Sequence, residues 1–415
     1  MELPKMLRVW QTFDRPDVGD VEAAVRAEFE RLDLASRVGE GDSVALAVGS
    51  RGIAGLVPVL AAAIAALKGA GAKPYIVPAM GSHGGGSAEG QMAALAHFGI
   101  TDDGVGAPVH STTDAVKLGT TEDGVPVLFD RMAAEADHLI VVNRVKPHTV
   151  LDGPVGSGPT KMLLIGLGNP KGARVYHRAF ADFSFGRVVE TALPIVLEKV
   201  NLLCGLALLE NGYHDLARIE AVEPENLLAR EAELLVEATR LMPKLPFDEC
   251  QLLVIDWIGK DISGSGIDTN VIGRGKPGPR CLRIVARDLT PASGGNAIGV
   301  GTVDFVTRRL VSKVDPRVTY VNCSTSLSLR SGAIPFVFDT DRQAIEAALD
   351  TIGLTPPEEA RVIWIRDTAN LECVRVSEAY AHAVAERDDL EAEGEPQPWP
   401  FDDSGDLQSP YAPYE

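Results

Sequence analysis

The sequence predicts an α/β fold: two α/β domains with mostly parallel sheets, and an active site in the cleft between them. Three observations predict it. Short apolar runs alternate with helical patterns through the first half of the chain, which is how βαβ units read. At 415 residues the chain exceeds one ordinary core, so two domains are expected. A segment with two prolines and two acids, "PKLPFDE" at 243–249, separates a long helical pattern from a fresh strand pattern, as a linker would. The expected boundaries are an N-terminal domain over 1–245, a smaller C-terminal domain over 246–385 and an acidic tail over 386–415.

Taken in order, "VALAVG" (44–49) reads as a buried strand, "SRGIAG" as a turn and "LVPVLAAAIAALKGAGA" as an alanine-rich helix ending at glycine. "PYIVPAM" is a second strand and "GSHGGG" a glycine loop. A helix over "SAEGQMAALAHFG" follows, with Ser87 as its N-cap. "DHLIVVN" is a further strand, running into "VKPHTVLDGPVGSGPTKM" (145–162) and then "GNPKGARVYHR". The helical pattern "PENLLAREAELLVEATRLM" closes this half. Beyond the linker, "QLLVIDW", "RCLRIVAR" and "RVIWIR" read as strands, while "TVDFVTRRLVSKV" and "DRQAIEAALDTIG" read as helices. No repeat at a fixed period is visible.

Composition excludes some functions. A formal charge of −19 lacks the basic surface that nucleic acid demands. No apolar run reaches the roughly 18 residues of a membrane span, and "MELPKMLRVWQTFDRPD" is not a secretory signal, so a cytoplasmic location is expected. Cys204, Cys250, Cys281, Cys323 and Cys373 are scattered and form no CxxC pair, which argues against disulfides or a zinc knuckle. The tail, "ERDDLEAEGEPQPWPFDDSGDLQSPYAPYE", reads as solvated or draped over the surface.

Candidate chemistry gathers at strand ends, where α/β sheets bind ligands. Arg51, His83 and His148 each follow a strand. Histidine moves protons near neutral pH, and the proline before His148 stiffens its loop for that task. A lone loop histidine is more often a surface residue, but two at neighbouring strand ends change that balance. Lys161, in the glycine-flanked "GSGPTKM", is placed for a depressed pKa and nucleophilic work, or simply starts a helix. His177 sits on a helix beside basic and aromatic residues. One histidine is a poor metal site unless a bound cofactor brings the other donors. In the second half, Lys260 of "GKDISGSG" follows a strand and is the candidate there for a substrate or phosphate contact. The other histidines read as structural. The glycine loops alone would also suit a non-catalytic nucleotide- or phosphate-binding protein, although phosphate needs amides and cations rather than two bases.

Together, "GSHGGG", "KPH…SGPTK" and "KGARVYH" resemble the lactate racemase family, whose members use the nickel-pincer nucleotide cofactor. The resemblance covers the first half well and continues loosely through "GKDISGSGIDTNVIGR". It implies that Lys161 holds the cofactor covalently through a thioamide and that His177 is the protein ligand to nickel (Ni2+). The cofactor's own sulfurs and pyridinium carbon supply the remaining donors of a planar site. It also implies that His83 and His148 are the two acid/base histidines and that the fork of Arg51 grips a substrate carboxylate. The implied activity is racemisation or epimerisation of a 2-hydroxy acid by reversible hydride transfer, with cofactor-biosynthesis proteins as partners. A net redox or elimination reaction on a related hydroxyl compound is the near alternative. "VGSRGIAG" lacks the residues that flank this arginine in better-known members, which implies a remodelled pocket for a larger hydroxy or sugar acid.

Overall fold

The first strand of the chain, β1 (Met6–Gln11), pairs with strands made from its last forty or so residues. The protein is described by a computed structural model covering residues 1–49 and 52–414. Two contact units result: Asp14–Met242, and Met1–Phe13 joined with Pro243–Glu415. Chain crossover at Met242/Pro243 falls at the proline-bearing segment. Each unit is an α/β body with a largely parallel sheet.

In the Asp14–Met242 unit, β2 (Ser43–Val48), β3 (Lys73–Pro78), β6 (His138–Arg144) and β7 (Leu202–Glu210) run parallel. β8 (Leu216–Val222) closes one edge antiparallel, giving the order β3-β2-β6-β7-β8. A separate hairpin of β4 (Ala115–Thr120) and β5 (Pro126–Asp130) lies outside that sheet. The sheet is apolar on both faces because helices cover both. Ala45, Ala47, Leu139 and Val141 face one core, while Val44, Leu46, Ile140 and Val142 face the other. From β2 the chain moves first to β3 on one side and later to β6 on the other. The carboxyl ends of β2 and β6 therefore flank a topological switch point, where such sheets leave a crevice for ligands.

The other unit holds an eight-stranded sheet, ordered β12-β11-β10-β9-β13-β14-β1-β15. Its later members are β9 (Glu249–Ile258), β10 (Arg280–Leu289), β11 (Phe305–Thr307), β12 (Phe336–Phe338), β13 (Val362–Ile365), β14 (Cys373–Ser377) and β15 (Leu390–Gln397). β9 to β13 are parallel, and β14, β1 and β15 add an antiparallel flank.

Three expectations are corrected in this unit. The helix expected over "TVDFVTRRLVSKV" is instead β11 followed by a short helix, Arg308–Ser312. Phe305 and Val306 are buried against β10, and burial of those side chains outweighs helical spacing. The 1–245 boundary fails at its start, because β1 belongs to this sheet. The segment from 386 is not a draped tail. Its acids face outward along β15, but Trp399 and Leu407 are buried. Trp399 stacks on Trp364 at 5.3 Å and donates its ring N–H to the Pro4 carbonyl. Arg287 donates to the Leu407 carbonyl (2.7 Å) while forming ion pairs with the buried carboxylates of Asp256 and Asp341.

Among the described residues no helix is long and apolar enough to cross a membrane. The described cysteines are free thiols.

Candidate active site

Three segments after parallel strands, and the helix start that follows them, meet at the carboxyl edge of the Asp14–Met242 sheet. After β2 comes Gly49, where a side chain would press into Asn143 Oδ1 at the end of β6 (2.8 Å) and approach Met162 Sδ (3.7 Å). Arg51 lies outside the described residues. The turn just beyond it is pinned, since the Ala54 N–H donates to Glu210 Oε1 (2.8 Å) and Glu210 also pairs with Arg144.

After β3 the chain carries His83 into three consecutive glycines, Gly84, Gly85 and Gly86, all at φ between 64° and 68°. Only glycine takes that left-handed conformation at little cost. At Gly84 a Cβ would also lie 2.6 Å from the Gly90 and Gln91 backbone. Ser87 caps the next helix, Ala88–His97, as the sequence predicts. The base of the loop rests on the later site segment, with the Gly81 N–H donating to the Gly166 carbonyl (2.9 Å). Buried Gln91 holds the Gly81 carbonyl from beneath (3.2 Å) and accepts from Ser111. His83 itself is exposed.

After β6, Lys146 and Ser157 exchange backbone hydrogen bonds of 2.8 and 2.7 Å, closing a loop that contains His148. His148 Nδ1 accepts the N–H groups of Val150 (3.0 Å) and Leu151 (2.9 Å). A nitrogen that accepts two donors carries no proton, so the neutral ring is the Nε2–H tautomer. Ser157 ties this loop to the next element, where Lys161 Nζ donates to Ser157 Oγ at 3.5 Å.

Lys161 ends a short helical turn, Pro159–Lys161, that passes into a five-residue π-helix, Met162–Gly166. Such π segments cluster at functional sites. Asn169, at φ 55°, redirects the chain into the helix Asn169–Asp182, and its amide is anchored on buried Asp130 (2.8 Å). His177 lies on that helix against Phe180. Burial, and secondly the charge of Lys161, push the His177 imidazole down to about 4. It is therefore a neutral donor at physiological pH, which a metal ligand must be.

Sequence reasoning missed Glu231. It occupies the centre of the apolar stripe Leu227, Leu234, Ala238, Leu241 on the helix Leu227–Leu241 and is completely buried. Its Oε2 accepts the Thr160 N–H at 2.8 Å, one residue before Lys161. An acid at i+4 and i−3 of buried leucines was the available signal. Gln91 and Asn169 gave no comparable one.

Lys260 belongs to the other unit. It follows β9, and its ammonium donates to the Gly264 carbonyl. Ser263, Ser265, Asp268 and Thr269 of its loop are buried, so this segment is not an exposed turn.

Residues 19–184 match the lactate racemase N-terminal domain. That match covers the part of the chain that resembles the lactate racemase family in sequence. The matched span contains Arg51, His83, His148, Lys161 and His177. Among solved structures, the lactate racemase apoprotein from Thermoanaerobacterium thermosaccharolyticum is similar over 88% of this chain and 99% of that one, with a TM-score of 0.55. At 13% identity this likeness shows the fold. No curated protein matches the chain.

The residues present suit a nickel-pincer cofactor. Among the described residues no three His, Cys, Asp or Glu side chains gather as a metal cage. A neutral, half-buried histidine that feels the charge of a lysine suits a metal that arrives with most of its own donors.

Proposed function

We propose that this chain is a member of the lactate racemase family that racemises or epimerises a 2-hydroxy acid, with Lys161 and His177 holding a nickel-pincer nucleotide. The observation that carries the reading is a His177 imidazole kept neutral first by burial and secondly by the charge of Lys161, inside the matched domain. Lys161 would carry the organic part by a thioamide link and His177 would be the protein's ligand to nickel. When bound, the cofactor supplies reversible acceptance of the C2 hydride. Loading it would need cofactor-biosynthesis proteins as partners.

The chain's own residues then handle the carboxylate and the protons. Arg51 binds the substrate carboxylate bidentately, and Lys260 is a candidate substrate or phosphate contact. Inversion at C2 needs a proton acceptor on one side and a donor on the other, the roles of His83 and His148. With Nδ1 committed to Val150 and Leu151, His148 offers Nε2–H to a substrate oxygen. Handing that proton over requires the imidazolium, because donation from the neutral ring would leave an imidazolate, and the imidazolium needs a proton at Nδ1 as well. In the reverse direction His148 must accept a proton, and both directions require those two amides to release Nδ1.

The test is the intact mass and nickel content of protein made together with the cofactor pathway. Lys161→Ala should lose the mass adduct. His177→Ala should lose nickel and keep the organic part. Deuterium at substrate C2 should remain in the product. An unmodified Lys161 in fully supplied cells, or rapid wash-out of that deuterium into water, would overturn the reading.

A further inference from the structure

Glu231 is in a position that burial alone would disfavour. A carboxylate inside an apolar stripe costs several kcal/mol unless it is paired, and what sets its titration is burial and Thr160 rather than a cation. Oε2 takes the Thr160 N–H, whereas Oε1 and the buried Thr160 hydroxyl have no hydrogen-bond partner among the described residues. Burial pushes its pKa up to about 7, so the group hovers between acid and carboxylate at neutral pH.

The turn it touches is the one that aims Lys161. Pro159 has no N–H, so Thr160 carries the first N–H of the turn, and that donor is the one Glu231 accepts. Gly158 is extended, and any side chain there would meet Oε1 at 2.2 Å. On the other side Gly205 of β7 leaves room for Pro159 and Leu227, which would crowd a Cβ at 2.9 and 2.6 Å. Two glycines and one buried acid thus clamp the turn from which the Lys161 side chain leaves.

We propose that Glu231 is a positioning residue that holds the Gly158–Lys161 turn through the Thr160 N–H and so fixes the Lys161 amine for attachment of its ligand. This rests on the reading of Lys161 as the cofactor carrier. A purely structural acid would be dispensable, because buried charges replaced by apolar groups of similar size are often neutral or stabilising. A positioning acid is rescued only by a side chain that keeps the acceptor.

The test measures acylation of each lysine by N-hydroxysuccinimidyl acetate, read by peptide mass spectrometry on the whole protein at pH 8. Lys68 and Lys199 serve as internal references. Glu231→Gln keeps an acceptor oxygen for Thr160 and should leave the Lys161 rate within about twofold of wild type. Glu231→Leu should change it at least fivefold at Lys161 alone, with a thermal midpoint no lower than that of wild type. Should the leucine variant fail to fold, Gly158→Ala, which drives a methyl into the same carboxyl, should give the same Lys161-specific change. Wild-type Lys161 rates in whichever of these folds would overturn the proposal. Co-production with the cofactor pathway separates the two readings. A Lys161-specific rate change without any mass adduct in wild type would sink the carrier assignment and keep the clamp. An adduct equally abundant in wild type and Glu231→Leu would sink the clamp.

Discussion

Glu231 makes the folding stability of the Asp14–Met242 unit depend on pH in a way that can be worked out in advance. Its pKa is 4.5 in a solvated chain and about 7 when buried in the fold. A group whose folded pKa is raised binds its proton more tightly in the native state. Its stabilising effect is complete below about pH 4.5 and is lost as pH rises through about 7. At about 1.4 kcal/mol per unit, the shift corresponds to roughly 3 kcal/mol of stability. For a unit of this length that is a change in thermal midpoint on the order of 10 °C. Glutamine has no proton to lose, so Glu231→Gln should be flat where wild type falls. The assay is the thermal midpoint of both proteins at pH 5 and pH 8, compared as a difference so that all other titrating groups cancel. The variant should gain on wild type by about that amount between the two values. A wild-type-minus-variant difference that stays constant from pH 5 to pH 8 would refute the assignment of a buried, proton-holding carboxyl.

Alanine at either His83 or His148 should slow full racemisation by on the order of 10²–10⁴ while the mass adduct on Lys161 persists; loss of the adduct in either variant would move that histidine from proton transfer to cofactor binding. Nitrogen-15 chemical shifts should report His148 as the Nε2–H tautomer, and a protonated Nδ1 would contradict the turn described around it. Gly84→Ala should cost at least ~1–2 kcal/mol through its left-handed conformation alone and distort the His83 loop, which a lower thermal midpoint and weaker activity would reveal. Trp399→Ala should destabilise the other unit by roughly 3–5 kcal/mol, read as a lower denaturation midpoint; a value under 1 kcal/mol would mean that the last segment is dispensable.

What the sequence disclosed depended on whether the controlling interaction was local. "VALAVG" and "DHLIVVN" announced buried strands because both faces of a parallel strand are apolar. Ser87 announced its helix because a cap lies within one turn of what it caps. The glycine loop at His83 was legible for the same reason, since its φ values are a property of the glycines themselves. "TVDFVTRRLV" misled because three residues of strand can be imposed by a parallel neighbour whatever their helical spacing. The last thirty residues looked solvated because acids dominate them, yet Leu390, Trp399 and Leu407 anchor them to partners far away in sequence. In the candidate site, His83, His148, Lys161 and His177 were each visible as reactive residues in glycine-rich surroundings. The tautomer of His148 and the depressed basicity of His177 come from contacts that no spacing reveals. Glu231 was hidden among the ordinary glutamates of an amphipathic helix.

The pairing of β1 with β14 and β15 also sets a timetable for synthesis. Met6 finds its partner in Ser377, made about 370 residues later, so at translation rates of about 5–20 residues per second the first strand waits roughly 20–70 s. The whole Asp14–Met242 unit emerges during that interval and can mature on its own, while "MLRVWQ" remains a strand without a sheet. Arg8 within it, which ends in an ion pair with Glu393, keeps a charge in the middle of that waiting edge and so discourages it from pairing with another nascent chain.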